Sequence, residues 1–161
     1  MTHDAALIAD LVETAKGLAR EAGQFILDGR RDAAVTATKS STVDIVTHMD
    51  LAAEALLRER IAQWRPDDGI LGEEGNDVAG TSGMTWVIDP IDGTVNYLYG
   101  LPHFAVSVAV VAGPATTAAW TTLAGAVFDG SGTLWWAGRG AGAHRDGEPL
   151  LRGEGAPLAE S

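Results

Sequence analysis

The sequence contains no cysteine, few basic residues and no long apolar run. Without cysteine it can form no disulfide, no thiolate metal site and no cysteine nucleophile. Its 11 Lys and Arg against 22 Asp and Glu give a net charge of −11, which argues against nucleic acid as the main ligand. No stretch approaches the ~20 apolar residues of a membrane helix, and residues 1–4 do not begin a signal peptide. We therefore expect a cytoplasmic protein that binds neither membranes nor nucleic acid.

The composition that is present is typical of one soluble globular domain. The 161 residues are 46% hydrophobic and 20% charged, which is enough to bury a core and too apolar for a disordered polyelectrolyte. Twenty glycines indicate many tight turns or close backbone approaches.

Apolar residues that recur every three or four positions predict a first helix over residues 4–28. Gly29 is a candidate left-handed C-terminal cap for this helix. Residues 32–46 mix threonine, serine and valine, so we expect a loop with short extended pieces there.

A second helix is predicted to start at Thr47 and to end before Pro66. Its Glu54 and Arg58 are spaced as a favourable i,i+4 pair, worth a few tenths of a kcal/mol on an exposed helix. Its expected apolar stripe consists of Ala53, Leu57, Ile61 and Trp64.

Beyond Gly69 the pattern changes to short apolar strands separated by glycine-rich turns. The strands are predicted at residues 70–71, 85–88, 104–112, 116–128, 133–137 and 142–145, with a polar loop at 75–83. Two helices followed by consecutive hairpin-linked strands predict an α+β fold, in which the helices pack on a mainly antiparallel sheet.

Two acidic clusters follow two of these strands. Glu73 and Glu74 come after the first strand, and Asp89 and Asp92 come after the strongest apolar strand. Two carboxylates ~5 Å apart repel by about 3 kcal/mol at an effective dielectric constant of ~20. Either one carboxyl takes up a proton or a divalent cation lies between them. The available ligands are oxygens, since the four histidines are scattered, and this favours Mg²⁺, Mn²⁺ or Ca²⁺ over zinc.

The residues after Asp92 suggest an anion site beside that cation. Gly93 permits close backbone approach, and Thr94 can start a short helix whose first N–H groups would receive a phosphate. Taken singly, each acidic cluster would be an ordinary turn, and Asp50 a surface or capping residue. Together they point to metal-assisted hydrolysis of a phosphate ester.

Residues 86–97 read Trp-Val-Ile-Asp-Pro-Ile-Asp-Gly-Thr-Val-Asn-Tyr, which resembles the signature of the inositol monophosphatase family of Mg²⁺-dependent, lithium-sensitive phosphatases. The Asn-Tyr pair resembles the inositol branch more than the nucleotide-phosphatase branch, which usually has Lys-Glu-Phe there. The resemblance extends, in the family's order and spacing, to residues 39–41, 44–47 with Asp50, 72–74, 104–107 and 140–143.

The resemblance implies two or three Mg²⁺ ions and inhibition by Li⁺. The ions would be held by Glu73, Asp89, the backbone carbonyl of Ile91, and Asp92. Glu73 and Asp92 would also contact the substrate.

The catalytic residues implied by the resemblance are Glu73, Asp50 and Thr94. Asp50 and Thr94 would orient and deprotonate the attacking water, and the N–H groups of Gly93 and Thr94 would hold the phosphate. Lys39 would lie on a mobile loop that closes near the metals. The implied reaction is in-line attack of water on phosphorus without a phosphoenzyme.

The resemblance covers the N-terminal half of the family's layered sugar-phosphatase fold. We expect residues 1–152 to form the metal- and phosphate-binding domain and residues 153–161 to be a tail. The family's second domain carries a Trp-Asp-x-Ala-Ala-Gly motif whose Asp completes the second metal site, and nothing in residues 113–161 matches it. The implied substrate is a small phosphorylated polyol or sugar, foremost myo-inositol monophosphate, and the full-length form is expected to be a homodimer.

The sequence leaves three alternatives. The chain could be a non-catalytic fragment that binds metal or phosphate or pairs with another chain, and by itself we expect it to be inactive or very weak. Within the family, histidinol phosphate, fructose bisphosphate and nucleotides are other possible substrates. An aspartyl-phosphate enzyme of the haloacid dehalogenase type is disfavoured, because its two Asp residues are separated by one residue and Asp89 and Asp92 by two.

Overall fold

The computed structural model describes residues 4–36, 42–73, 77–113 and 119–151. The described elements are, in chain order, α1 (Ala5–Thr36), α2 (Thr42–Trp64), β1 (Gly69–Leu71), β2 (Met84–Asp92), α3 (Thr94–Leu98), β3 (Ala105–Ala112), β4 (Thr121–Asp129), β5 (Leu134–Gly138), β6 (Gly142–Arg145) and β7 (Glu148–Pro149). In this part of the chain, no helix is both long enough and apolar enough to cross a bilayer.

The strands form a sheet in which β1 to β7 are neighbours in sequence order. Strand β1 runs parallel to β2, and every later neighbour pair is antiparallel. The predicted α+β fold, with helices packed on a mainly antiparallel sheet, is therefore confirmed. The strand prediction missed β7, and it ended β2 too early, because β2 continues through the acidic motif to Asp92.

The predicted boundary between the first two helices is wrong. Helix α1 continues through Gly29 to Thr36, and α2 begins at Thr42 rather than Thr47, so most of the expected 32–46 loop is helical. Gly29 is not a cap. A Cβ atom there would overlap the side chain of Met49 on α2, so this glycine permits the close approach of the two helices.

The core lies between the helices and one face of the sheet. Helix α1 packs against β3, β4 and β5, and α2 packs against α1 and β2. The expected stripe on α2 is correct for Ala53, Leu57 and Ile61, which are at most 1% exposed, but wrong for Trp64. Trp64 is 43% exposed and covers Gly17 on α1. The C-terminal end of β1 lies beside α2, since Gly72 is close to Glu54 and Arg58, and α2 also packs on β2.

A buried carboxylate connects the end of α2 to the start of β1 and to β2. Asp68 is 6% exposed and accepts hydrogen bonds from Trp86 Nε1 at 2.9 Å, Arg65 Nε at 2.9 Å and Ser82 Oγ at 2.6 Å. Because charge-assisted hydrogen bonds are stronger than neutral ones, Asp68 holds the parallel strand pair in register.

Candidate metal and phosphate site

The acidic residues converge where β1 and β2 end. The parallel register pairs Leu71 with Val87, so Glu73, two residues beyond β1, lies alongside Asp89. An antiparallel pair would have placed these residues at opposite ends of the sheet. The predicted approach of Glu73 to Asp89 therefore depends on the parallel pair.

A β-bulge brings Asp92 to the same region. Asp89 pairs with Ser107 and Asp92 with Ala105, so β2 has one residue more than β3 over this interval. In a regular strand, residues three apart point to opposite faces, and a bulge removes this constraint. Pro90 is tolerated because it lies within the bulge and beyond the last pairing with β1.

Asp89 has the strongest electrostatic perturbation in the site. Burial, and then the charges of Glu73 and Asp92, raise its pKa to about 6, although a hydrogen bond from the Ile91 N–H opposes this shift. Its Oδ1 atom is buried and has no hydrogen-bond partner in the described part of the chain. A buried oxygen of this kind carries a cost of about 1–3 kcal/mol unless another group satisfies it.

The donor set fits a hard divalent cation. It consists of carboxylate and carbonyl oxygens. One of them, the Oδ1 of Asp89, is buried and has no hydrogen-bond partner among the described residues, so its lone pairs are available to a cation. Glu73 and Asp92 are exposed, and among the described residues no three His, Asp or Glu side chains are arranged as a ligand set. The individual metal ligands stay predictions.

The turn after Asp92 has the geometry expected of it. Gly93 has φ +84°, a backbone conformation that strains any residue with a side chain. A Cβ atom there would also lie 2.8 Å from the His103 carbonyl oxygen, so both the backbone and the available space favour glycine. Thr94 begins α3, as predicted, and its hydroxyl donates to the Ile91 carbonyl at 3.0 Å. Thr94 and the Ile91 carbonyl are thus held next to each other beside Asp92.

Helix α2 contributes two buried acids. Asp50 is 8% exposed and Glu54 is 2% exposed, on the helix that contacts both β2 and α3. Sequence reasoning treated Glu54 only as half of an i,i+4 pair with Arg58. The structure shows a 2.7 Å ion pair that is largely buried under Gly72, and the Glu54 charge also raises the Asp89 pKa. The i,i+4 spacing signalled the pair, but nothing local signalled its burial.

An open cleft of about 560 Å³ adjoins this turn. Its lining includes Asp92, Gly93, Asn96, His103 and Ser131. Sequence reasoning assigned no role to the last three. Asn96 lies within the motif of residues 86–97, whereas His103 and Ser131 come from separate segments that only the fold brings together. Lys39, which the resemblance places on a loop that closes near the metals, lies outside the described residues, and so does Glu74, which follows Glu73. The predicted tail also lies there.

Comparison with known proteins places this geometry in a family. The model of the inositol monophosphatase family matches residues 8–161. Inositol-1-monophosphatase SuhB of Mycobacterium tuberculosis is 46% identical over 154 residues, covering 84% of this chain and 50% of that protein. A histidinol-phosphatase of Chlorobaculum parvum is 37% identical over 141 residues, covering 86% and 52%.

A solved structure of SaIMPase-II with bound inositol monophosphate superposes with a TM-score of 0.69 at 32% identity. The match covers 94% of this chain and 53% of that one. The chain therefore spans about half the length of the relatives it matches. The family match and the shared fold confirm the resemblance predicted from residues 86–97. The chain belongs to the inositol monophosphatase family.

Proposed function

We propose that this chain forms the metal- and phosphate-binding part of a Mg²⁺-dependent phosphatase that hydrolyses phosphate monoesters. The observation that carries the proposal is Asp89. Its side chain is half-buried, has one oxygen without a hydrogen-bond partner among the described residues, and lies near two further carboxylates, four residues before Gly93. A fold retains such an uncompensated group where a ligand satisfies it.

Two or three Mg²⁺ ions would be held by Glu73, Asp89, the Ile91 carbonyl and Asp92. Li⁺ would inhibit by competing with Mg²⁺ for these ligands. Bound Mg²⁺ would neutralise charge on the phosphate oxygens and lower the pKa of a coordinated water. The high pKa of Asp89 supports this assignment, since a carboxylate destabilised by its neighbours gains most from a cation.

The remaining residues would orient the substrate and the attacking water. The N–H groups of Gly93 and Thr94 would bind the phosphate, and Thr94 with Asp50 would hold the water and accept its proton. Asp50 suits this role because it is buried on α2, which packs against α3. Glu73 and Asp92 would contact the substrate, and Lys39 would close over it.

The substrate we propose is myo-inositol monophosphate, hydrolysed to inositol and phosphate. It is supported by the similarity to inositol-1-monophosphatase SuhB and to the structure holding inositol monophosphate. Histidinol phosphate is the second candidate, because a histidinol-phosphatase matches over a similar share of the chain. We further propose that the protein acts in the cytoplasm as a homodimer.

The test separates binding from turnover. Titration calorimetry of the 161-residue chain should show Mg²⁺ binding, and inorganic phosphate binding that requires Mg²⁺. Phosphate release from inositol 1-phosphate and histidinol phosphate should be slow, dependent on Mg²⁺ and abolished by EDTA. Asp89→Asn should abolish Mg²⁺ binding and turnover. Asp10→Asn is the matched control, because Asp10 is an exposed carboxylate on α1 that pairs with Arg65.

The possible results distinguish the hypotheses. Absence of Mg²⁺ binding, or an Asp89→Asn variant that binds Mg²⁺ like the parent chain, would refute the proposal. Binding of Mg²⁺ and phosphate with no hydrolysis of any polyol or sugar phosphate would favour the non-catalytic alternative for this chain.

A further inference from the structure

The short helix α3 depends on one buried side chain. It has five residues, and Tyr97 is its buried member, at 4% exposure. Helices of this length are not stable alone in water, so the position of α3 must come from its tertiary contacts. The neighbouring Val95 and Tyr99 are 65% and 75% exposed and contribute little to that contact.

The Tyr97 side chain reaches across the fold to α1. Its hydroxyl donates a buried 2.8 Å hydrogen bond to the carbonyl of Ile26, 71 positions away in the sequence. Its ring meets Phe104 edge to face, with centroids 5.0 Å apart and an interplanar angle of 88°. Burial raises the pKa of Tyr97 to about 12, so the hydroxyl remains a donor throughout the neutral range.

Arg30 strengthens the same connection from the next turn of α1. Its guanidinium lies 5.5 Å from the ring centroid of Tyr97 and 5.2 Å from that of Phe104, within cation–π range. It also donates to the Leu101 carbonyl at 3.4 Å. Because Ile26 and Arg30 are four residues apart, one face of α1 holds both ends of the α3 segment.

The backbone carries this restraint to the proposed phosphate turn. The Tyr97 N–H donates to the Gly93 carbonyl at 3.0 Å, so a displacement of residue 97 displaces Gly93. On the other side, Asn96 Nδ2 donates to the His103 carbonyl at 2.7 Å, and the same carbonyl oxygen lies against Gly93.

We propose that Tyr97, supported by Arg30, is a positioning residue that holds the Gly93–Thr94 turn in place through its bond to α1. Tyr97 acts through the turn and does not itself touch substrate. The inference rests on the proposed function, because it takes the Gly93–Thr94 turn to be the phosphate-binding element. It adds that the hydrogen bond from Tyr97 to Ile26 fixes the position of this turn.

The experiment compares the two tyrosines of the chain. Tyr97→Phe removes the hydroxyl that reaches Ile26, and Tyr99→Phe removes an exposed hydroxyl on the same segment. In the presence of Mg²⁺, we expect Tyr97→Phe to raise the Kd for inorganic phosphate roughly three- to tenfold, since one neutral hydrogen bond is lost. The Kd for Mg²⁺ alone should change less than twofold, because the carboxylate ligands lie outside α3.

A second pair of variants guards against misfolding of the tyrosine variants. Arg30→Gln should weaken phosphate binding in the same direction as Tyr97→Phe. Arg145→Gln is its control, because Arg145 makes a similar contact with Trp135, at 5.1 Å, on β5 and β6. Amide hydrogen exchange supplies a readout independent of ligands. The N–H groups of Tyr99 and Leu101, which bond within this segment, should exchange faster in Tyr97→Phe.

Each outcome decides the inference. Unchanged phosphate affinity and unchanged exchange in Tyr97→Phe and Arg30→Gln would overturn it, and so would an equal loss in Tyr99→Phe. If the parent chain binds no phosphate, the proposed function fails and exchange alone judges the positioning role. Faster exchange would then uphold that role, and unchanged exchange would overturn it.

Discussion

Replacing Asp89 with asparagine should stabilise the metal-free protein at neutral pH. The pKa of Asp89 is raised from its ordinary 3.8 to about 6, so the folded state favours the neutral carboxyl. At full value this change corresponds to about 3 kcal/mol of folding free energy. Because the side chain is only half-buried, solvent screening reduces the expected effect to about 1–2 kcal/mol.

The sign follows from proton linkage. A carboxyl whose folded pKa is raised contributes its stability below the unfolded value of 3.8 and loses it as the pH rises through 6. The free energy of unfolding of the parent chain should therefore contain a falling component between pH 4 and 6 that Asp89→Asn lacks. The variant should exceed the parent by about 1–2 kcal/mol at pH 7.5 and match it near pH 4.

Urea unfolding in EDTA, followed by tryptophan fluorescence across this pH range, measures the difference directly. Asp129→Asn is the control with the opposite sign. Burial acts to raise the pKa of Asp129, but hydrogen bonds from Ser131, Trp135 and Thr133 outweigh it and hold that pKa below its ordinary value. Its stabilising contribution is present above the unfolded pKa and lost in acid, so Asp129→Asn should destabilise the chain at neutral pH.

Added Mg²⁺ should reverse the ranking of Asp89→Asn, because a ligand that binds only the folded parent stabilises it by mass action. An Asp89→Asn variant that is no more stable than the parent at pH 7.5, with no pH-dependent gap, would refute the electrostatic reasoning.

Two further substitutions test the framework of the site. Asp68→Ala should destabilise the chain by about 2–4 kcal/mol in urea unfolding, since it leaves the buried indole N–H of Trp86 without an acceptor. The adjacent exposed Asp67→Ala should cost less than about 0.5 kcal/mol, and equal costs would contradict this role. Gly93→Ala should lose phosphate binding in calorimetry and at least about 1 kcal/mol of stability. Gly140→Ala has a similar φ of +77° but open space around it, so it isolates the backbone cost, and equal losses would exclude a role for the contact with the His103 carbonyl.

The parts of the fold that the sequence predicted well are those with local signals. Short apolar runs and glycine turns marked most strands, and the two acidic clusters visible in the sequence do lie near each other in the fold. The α1–α2 boundary failed because Gly29 has two possible roles, a helix cap and a point of close packing. Only the position of Met49 on another helix decides between them.

The same limit explains which site residues were missed. The spacing of Glu54 and Arg58 is visible in the sequence, but their burial under Gly72 depends on the course of the chain after β1. The bond from Tyr97 to Ile26 joins residues 71 positions apart. Neither periodicity nor spacing carries information over that distance.

The connection between β1 and β2, predicted as a polar loop at residues 75–83, helps to bring Glu73 and Asp89 together. The acidic motifs alone do not indicate this role. Parallel strands need a long connection that returns the chain to its starting end. The described residues of the segment between β1 and β2, 72–73 and 77–83, contain no helix. The backbone N–H of Val78 donates to the Ile70 carbonyl, and the Ile70 N–H donates to the Val78 carbonyl, both at 2.8 Å. The Thr81 and Ser82 N–H groups donate to the Asp67 carbonyl at 2.8 and 3.0 Å. These bonds fix residues 78–82, in the second part of the segment that begins with Gly72 and Glu73. The approach of Glu73 to Asp89 therefore also depends on Asp67 and Asp68, whose hydrogen bonds hold the residues between β1 and β2 in place.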